Sequence, residues 1–433
     1  MLTSKYLREN LSAIKESMER RKSDYPIEHM LKLDEELRKK NAEAQELRAQ
    51  RNRLSIEISE KKKKDNAVDK RLSEKVSEIK KSLEQMEKEL PEKEQELKEL
   101  LWNMPNILDK SVPYGTDDLQ NVEIRKKGEA EKKDMPRHEE ILTSLSGLDL
   151  EAAAKVSGAR FYYLKGDIAL LEQSLIRFAI DTITAKGYTL ISPPLMVKKE
   201  YYRGAAPLSD FEELLYRVTD PKEGEKEGLE KTEDDLFMIG TSEHAIAAMY
   251  SDHVFSAKEL PLKLVGISPC FRREAGSHGK DTKGIFRVHQ FYKVEQFIFS
   301  DQESSGQIFD ELMANSEEIF AKLGIPYRIV NICTGDIGTV ASKKYDLEAF
   351  MPAQGRYREM VSCSNCTDWQ SLRLDIKYDK SGERKYAYTL NSTAIAVERA
   401  IVAITENYAD SDGSIRVPDA LVKYMGKDRI TGK

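Results

Sequence analysis

Arg272 and Glu274 stand two residues apart at the end of a strand-like run, and Phe291, Lys293 and Glu295 alternate along the start of another. Between them lies a loop rich in glycine and lysine, with Gly276, Gly279, Lys280, Lys283 and Gly284. Alternate residues of a strand share a face, so residues 271–299 predict a sheet floor carrying a guanidinium, carboxylates and an aromatic ring. Such a floor suits a ligand with phosphates and a flat base, such as ATP, because a guanidinium fork matches phosphate oxygens. Further along, Glu359 and Ser362 offer a carboxylate and a hydroxyl three residues apart. Beside a nucleotide they are candidate ligands for Mg²⁺, a hard cation that takes oxygen donors and keeps several waters. Thr241, Ser242 and Glu243 precede a helical run, HAIAAMY, and read from the residues alone as an N-cap. Cys363 and Cys366 form a CxxC pair, but no second pair or nearby histidine completes a tetrahedral metal set.

The N-terminal part has a different character. Residues 1–20 predict an amphipathic helix with Leu7, Leu11, Ile14 and Met18 at helical spacing, and Pro26 separates it from the next segment. From there to about Leu101 the chain is built of Glu, Lys, Leu, Gln and Arg, almost without glycine. Leu33, Leu37, Ala44, Leu47, Leu54 and Ile58 keep a four-three register interrupted by Lys40 and Arg51, and Leu72, Val76, Ile79, Leu83, Met86, Leu90, Leu97 and Leu100 keep it beyond residue 71. Two heptad seams predict two long helices paired as an antiparallel hairpin, turning within residues 61–71. Pro91 is expected to kink or restart the second helix. The expected tip carries Lys61, Lys62, Lys63, Lys64, Lys70 and Arg71. Those cations suit a solvated turn, the end of a dimerising coil, or a probe for a phosphate backbone.

Residues 104–130 lose the heptad and gain Pro105, Pro113 and Gly115, which predicts a connecting segment. A helix is expected over residues 170–186, capped by Gly187 and followed by the strand-like YTLISPP, and a charged surface loop over residues 221–235. A second helix is expected over residues 304–323, with Ile308, Phe309, Leu312, Ile319, Phe320 and Leu323 inward and Gly324 at its end. Strands are expected over residues 326–333 and 344–350.

The 433 residues are enough for two or three domains, and a net charge of −6 does not mark a general nucleic-acid binder. With 33% of residues charged, however, local basic patches can sit on an acidic whole. Four cysteines are too few for a disulfide scaffold and point to a reducing compartment. No signal-peptide core and no long apolar run is present, so a soluble, cytoplasmic protein with no membrane partner is expected.

The wording EAGSHGKDTKGIFRVHQFYKVE resembles motif 2 of the class II aminoacyl-tRNA synthetases and, within that class, is similar to the seryl-tRNA synthetase family. The rest of the chain carries further blocks of the same resemblance. The helix, strand and Pro193-Pro194 resemble motif 1, which builds a dimer interface in that class. Thr241-Ser242-Glu243 matches the family's TxE motif, and YREMVSCSN is similar to its metal-binding block, with Met360 and Val361 in place of the usual pair. Residues 389–407 resemble motif 3, although Ser392-Thr393 and Glu398 depart from the Gly-rich form common in bacterial relatives. The PN…VP.G.DD pattern looks like the family's junction between arm and catalytic domain.

The resemblance implies an α+β fold: a class II antiparallel sheet flanked by helices, with an N-terminal antiparallel two-helix coiled-coil arm. The implied domains are an N-terminal tRNA-binding domain over residues 1–110, a linker over 111–138 and a catalytic domain over 139–433. The implied activity is ATP-dependent activation of serine to seryl-adenylate and transfer to tRNA(Ser), with tRNA(Sec) as a further candidate acceptor, by a homodimer. Arg272, Arg287 and Arg399 would be catalytic. Arg272 would bridge the α-phosphate and the serine carboxylate, and Glu274 would read the adenine amino group. Phe291 and Arg399 would sandwich the ring, and Arg287 or Arg399 would hold the outer phosphate. Arg273 and Val288 complete the expected ATP set, and Glu359 with Ser362 would carry Mg²⁺. Thr241, Ser242, Glu243, Arg272, Glu295, Asn391 and Thr393 would bind serine, and the six basic residues of the tip would meet tRNA. The alternative is a relative outside translation, one that charges a carrier protein or lacks catalysis.

Overall fold

In the computed structural model the described residues are 4–65, 70–207, 214–219, 235–274 and 283–432. The hairpin turn proper, most of the charged loop 221–235, and Gly276, Gly279 and Lys280 of the basic loop lie outside them, as does the side chain of Lys64. The chain divides into two compact units, Leu2–Pro105 and Asn106–Lys433.

In the first unit the predicted first helix is two, Ser4–Glu9 and Leu11–Arg21, with Leu7, Ile14 and Met18 buried. Two long helices come next: α1, Ile27–Asp65, of 39 residues, and α2, Lys70–Asn103, of 34 residues. At ~1.5 Å per residue they extend roughly 50–60 Å. The expected seam is buried where it is densest, with Leu33, Leu37 and Ala44 on α1 and Leu83, Leu90 and Leu97 on α2. Its flanks are laced by polar contacts whose numbers run in opposite directions: a hydrogen bond between His29 and Glu96 at 2.7 Å, and ion pairs Glu36–Lys93 at 2.6 Å, Lys40–Glu89, and Arg48–Glu87 at 3.3 Å. The helices are therefore antiparallel. Lys40, the expected interruption of the seam, reaches sideways to a partner and leaves the seam apolar.

Two expectations need correction here. Lys61, Lys62 and Lys63 do not break the first helix but continue it, and Lys70 and Arg71 open the second. Lysine is a good helix former, so a charged run ends the seam without ending the helix. Of the two outcomes expected at Pro91 the restart does not occur, since α2 passes through it unbroken; the seam on either side holds the helix despite the lost N–H.

The second unit is organised around an eight-stranded sheet among the described residues. Its strands are β1 (Val122–Lys127), β2 (Thr189–Ile191), β3 (Leu262–Phe271), β4 (Gln290–Ser300), β5 (Tyr327–Asn331), β6 (Lys343–Met351), β7 (Arg356–Asn365) and β8 (Tyr388–Ala396). In space the order is β1-β5-β6-β7-β8-β4-β3-β2, antiparallel throughout except for the β2–β3 pair. The segment 111–138, expected as a linker, is not only that: β1 lies within it and forms one edge of the sheet. The second compact unit already begins at Asn106, ahead of the expected boundary at residue 110.

Strand alternation divides the sheet into two faces. On β4 the even positions Val294 and Ile298 join the main core with α3 (Gly166–Thr184) and α5 (Ser305–Lys322). The odd positions Phe297 and Phe299 join a second core with Ile246 and Ala247 of α4 (Ser242–Met249). Gly266 on β3 permits that approach, since a Cβ there would come within 2.5 Å of the Ser242 hydroxyl and 2.7 Å of Ile246. Beyond β8 the chain enters α6 (Val397–Tyr408), whose Val397, Ala400 and Ile401 return to the main core.

Candidate active site

The odd residues of β4 that precede Phe297 are Phe291, Lys293 and Glu295, and they form part of the wall of a cavity of about 690 Å³. Two irregularities bring further strands to the same cavity. Opposite β6, the partner of Leu347 is Val361 and that of Glu348 is Glu359, so Met360 is an extra residue. In a regular strand Glu359 and Ser362 would point to opposite faces; the bulge turns both into the cavity. Opposite β4, Val294 pairs with Ile395 and Glu295 with Thr393, so Ala394 is extra and Asn391, Thr393 and Ala396 all reach the cavity.

One end is cationic. Arg272, Arg287, Lys344 and Arg399 line it together with Glu274 and Glu359. Arg272 lies just beyond the end of β3 and donates to the carbonyl of Gly240 at 3.2 and 3.3 Å, with its guanidinium 5.2 Å from the Phe291 ring centre. Arg287 donates to Glu274 at 2.8 Å. Arg399 holds Glu359 through both its carbonyl, at 3.0 Å, and its carboxylate, at 3.3 Å. Partial desolvation at the cavity rim opposes ionisation of Glu359, but the charges of Arg399, Lys344 and Arg272 outweigh it and hold the carboxyl well below the usual carboxylate range.

The other end is acidic. Thr241 caps α4 by accepting the Glu243 N–H at 3.3 Å, so the N-cap reading is correct and both residues also face the cavity. The Glu243 carboxylate accepts from Gln370 at 2.8 Å and Asn391 at 3.0 Å. Glu295, almost wholly buried, accepts from the Thr393 hydroxyl at 3.1 Å and pairs with Lys293 at 2.6 Å. Burial, with the charge of Glu295 next, pushes Glu243 up to about 7. Burial also pulls the neighbouring His244 down to about 3, helped by Lys293 and Arg272, so its imidazole is neutral. Two carboxylates converge there with one lysine between them, an arrangement that receives a cation well.

Of the expected site residues, Arg272, Glu274, Arg287, Phe291, Glu359, Ser362 and Arg399 meet at the first end, and Thr241, Glu243, Glu295, Asn391 and Thr393 at the second. Three do not line the cavity. Val288 is buried in the main core, and Ser242 points under Gly266 toward the sheet. Arg273 is exposed and joins the neighbourhood only through its backbone, whose N–H donates to the Leu214 carbonyl at 2.7 Å. Glu274 faces the cavity for a reason other than strand alternation. Its φ is +49°, past the end of β3, and the ion pair with Arg287 orients it. Lys344 and the wall at residues 337–341 escape sequence reasoning, although Lys344, Asp346 and Glu348 alternate in it with apolar residues. Cys363 and Cys366 are free thiols; Cys363 sits in the main core and Cys366 faces the cavity. Among the described residues no helix is long and apolar enough to cross a membrane.

Comparison with known proteins gives a consistent picture. Residues 1–108 match the model of the seryl-tRNA synthetase N-terminal domain, and residues 222–408 that of the class II core domain of the G, H, P, S and T synthetases. The serine–tRNA ligase of Pyrococcus horikoshii is 45% identical over 99% of this chain and 97% of its own length, and that of Methanocorpusculum labreanum 44% over 98% and 99%. Among solved structures, seryl-tRNA synthetase from Pyrococcus horikoshii complexed with ATP superposes with a TM-score of 0.91 at 44% identity, covering 100% of both chains. The cytoplasmic serine–tRNA ligase of Naegleria fowleri in complex with AMP gives 0.85 at 37% identity, covering 98% of this chain and 96% of its own. With full-length identity at this level, and with both of its parts matched, the chain belongs to the seryl-tRNA synthetase family of the class II aminoacyl-tRNA synthetases.

Proposed function

We propose that this protein is an ATP-dependent serine–tRNA ligase, which forms seryl-adenylate and transfers the seryl group to tRNA(Ser), with tRNA(Sec) a further candidate acceptor. The observation that carries this reading is the polarity of a single cavity. A cluster of arginines at one end suits phosphates, and paired carboxylates at the other suit an ammonium group. Neither chemical step needs a protein nucleophile. The serine carboxylate attacks the α-phosphorus and pyrophosphate departs; the terminal ribose hydroxyl of tRNA then attacks the acyl carbon and AMP departs. The site therefore acts by positioning reactants and neutralising charge.

In this reading Arg272, at the boundary between the two ends, takes the α-phosphate and the serine carboxylate. Glu274, braced by Arg287, reads the adenine amino group while the base stacks on Phe291. Arg399 covers the other face of the ring, and Arg287 or Arg399 holds the outer phosphate. Glu243 and Glu295 receive the ammonium, and Thr241, Asn391 and Thr393 supply the polar contacts that favour serine over alanine. A site built to bond a hydroxyl rejects the analogue that lacks it, because its own buried groups are left unpaired.

The donor set fits Mg²⁺. Glu359 and Ser362 share a face through the Met360 bulge, and the Oδ1 atom of nearby Asp346 is buried with no hydrogen-bond partner. Mg²⁺ commonly uses one or two carboxylates together with substrate phosphates. Bound there, it would neutralise charge on the triphosphate. The basic tip of the α1–α2 hairpin is the proposed tRNA contact, the segment resembling motif 1 the proposed dimer contact, and the cytoplasm the proposed location.

Pyrophosphate exchange measured with each amino acid, with and without tRNA, tests the reading. Exchange that depends on serine alone and precedes charging is expected. Exchange with a different amino acid, or adenylate delivered to a carrier protein and never to tRNA, would replace it.

A further inference from the structure

From the sequence, the PN pair at residues 105–106 reads only as part of a connection. Asn106, the first residue of the catalytic unit after the helical one, is 4% exposed. Its side-chain amide donates to the carbonyls of Val340 and Cys366, both at 2.8 Å. Its Oδ1 accepts the Ile107 N–H at 2.8 Å, its Nδ2 lies 3.0 Å from the Thr367 hydroxyl, which itself donates to the Cys366 carbonyl at 2.8 Å, and its own backbone N–H donates to the Thr339 carbonyl at 2.8 Å. Both amide hydrogens are thus used, and the amide oxygen is satisfied as well.

The partners have one thing in common. Thr339 and Val340 belong to the cavity wall at residues 337–341, and Cys366 faces the acidic end. The Cys366 sulfur accepts from Asn391 at 3.5 Å, and Asn391 donates in turn to Glu243 at 3.0 Å. The turn at residues 366–368, after β7, is tied to β8 by Cys366 N–H to the Thr389 carbonyl at 2.9 Å and Thr389 N–H to the Thr367 carbonyl at 2.8 Å. Behind the wall, the Asp109 N–H donates to the Ser342 carbonyl at 2.9 Å, and Leu108 and Val112 form a small core with Ile337 and Ala341. The chain therefore enters the catalytic unit as the backing of the cavity.

We propose that Asn106 is a positioning residue for the amino-acid end of the cavity, which sets the spacing between the 337–341 wall and the Cys366–Asn391–Glu243 row. Without its amide the Val340 and Cys366 carbonyls lose their shared donor, and the two walls lose the clamp that fixes their separation. ATP phosphates bind at the other end, on Arg272, Arg287 and Arg399, so their binding is largely spared. The inference rests on the proposed reading of the acidic end as the serine site.

The test is steady-state pyrophosphate exchange with serine and ATP varied separately, beside a thermal melt. Asn106→Asp keeps the shape but puts an oxygen in place of the nitrogen that faces two carbonyl oxygens. We expect the serine KM to rise by about tenfold or more while the ATP KM stays within about twofold, the scale of a missing buried hydrogen bond. Thr367→Ala should move the serine KM in the same direction by less, and Thr367→Ser should restore it. Should Asn106→Asp fail to fold, the Thr367 pair carries the test. Unchanged serine KM in folded Asn106→Asp, or in Thr367→Ala, overturns the inference even if the melting temperature falls. Wild-type protein lacking serine-dependent exchange would instead overturn the reading of the site itself.

Discussion

The Glu398 carboxylate accepts the backbone N–H of Tyr292 at 2.9 and 3.1 Å. The β4–β8 ladder ends one residue short of Tyr292, at the Lys293–Ala396 pair, because the chain there turns into α6. The carboxylate stands in for the strand carbonyl that the ladder no longer supplies, and the Tyr162 hydroxyl also donates to it. Glu398 thus fixes the start of α6, and with it Arg399, to the strand that carries Phe291. The residue that departs from the Gly-rich motif has a structural task.

Burial first of all, with Glu172 contributing and the Tyr162 hydrogen bond opposing, pushes Glu398 up to about 8. Its folded pKa is then above the unfolded value, so the folded state holds the proton more firmly. That contribution is complete at acid pH and is lost as pH rises through about 8. Glu398→Gln accepts the same two donors and does not titrate. Its stability relative to wild type, from urea midpoints, should improve between about pH 5.5 and about pH 9, on a scale of ~1.4 kcal/mol per unit of pKa shift. A difference that stays constant with pH would refute the assignment.

Glu243, pushed up to about 7 by burial and then by Glu295, should make serine binding pH-dependent. An ammonium group prefers the ionised carboxylate, so the serine KM should fall as pH rises through about 7. In Glu243→Gln the KM should be higher and that step absent, while the ATP KM keeps its own profile. A wild-type serine KM that is flat from about pH 6 to about pH 8 would remove Glu243 from the ammonium site.

Arg399→Ala should abolish serine-dependent exchange while the protein stays folded. Loss of a preorganised charge interaction with a transition state costs ~2.7–4 kcal/mol, or a factor of about 10²–10³ in rate. Circular dichroism and melting control for the fold, since the side chain grips Glu359 at the rim of the cavity and not in its core. Near-normal exchange would exclude Arg399 from the chemistry.

Neutralising Lys61, Lys62, Lys63 and Lys64 together should leave pyrophosphate exchange intact and weaken charging of tRNA. The described lysine side chains here are exposed or, for Lys61, paired at 3.0 Å with Glu57 on the surface, so the fold should not suffer. The log–log salt dependence of tRNA binding should flatten by about 0.7–0.9 for each phosphate that the tip no longer neutralises. Unaltered affinity and slope would show that the tip does not touch the backbone. A monomer on a sizing column would favour the coil as a dimer contact instead.

What the sequence alone determined are the features written in local periodicity. The heptads at Leu83, Leu90 and Leu97 specify a buried seam because a helix repeats every few residues whatever surrounds it. The alternation of Phe291, Lys293 and Glu295 specifies one sheet face for the same kind of reason, and Thr241 caps its helix within its own turn. The Arg272, Glu243 and Arg399 positions were legible because they sit in recognisable local wording. Tertiary structure decided whatever depends on register between distant segments. Glu359 and Ser362 share a face only because Met360 bulges out of the β6–β7 pairing. Val288, just ahead of β4, turned inward because the main core closes over it. Asn106 reaches Val340 and Cys366 across more than two hundred residues of chain. No short-range pattern encodes such a bond: which carbonyl faces an amide is fixed by how the strands are laid side by side, and that is settled only when the whole sheet closes.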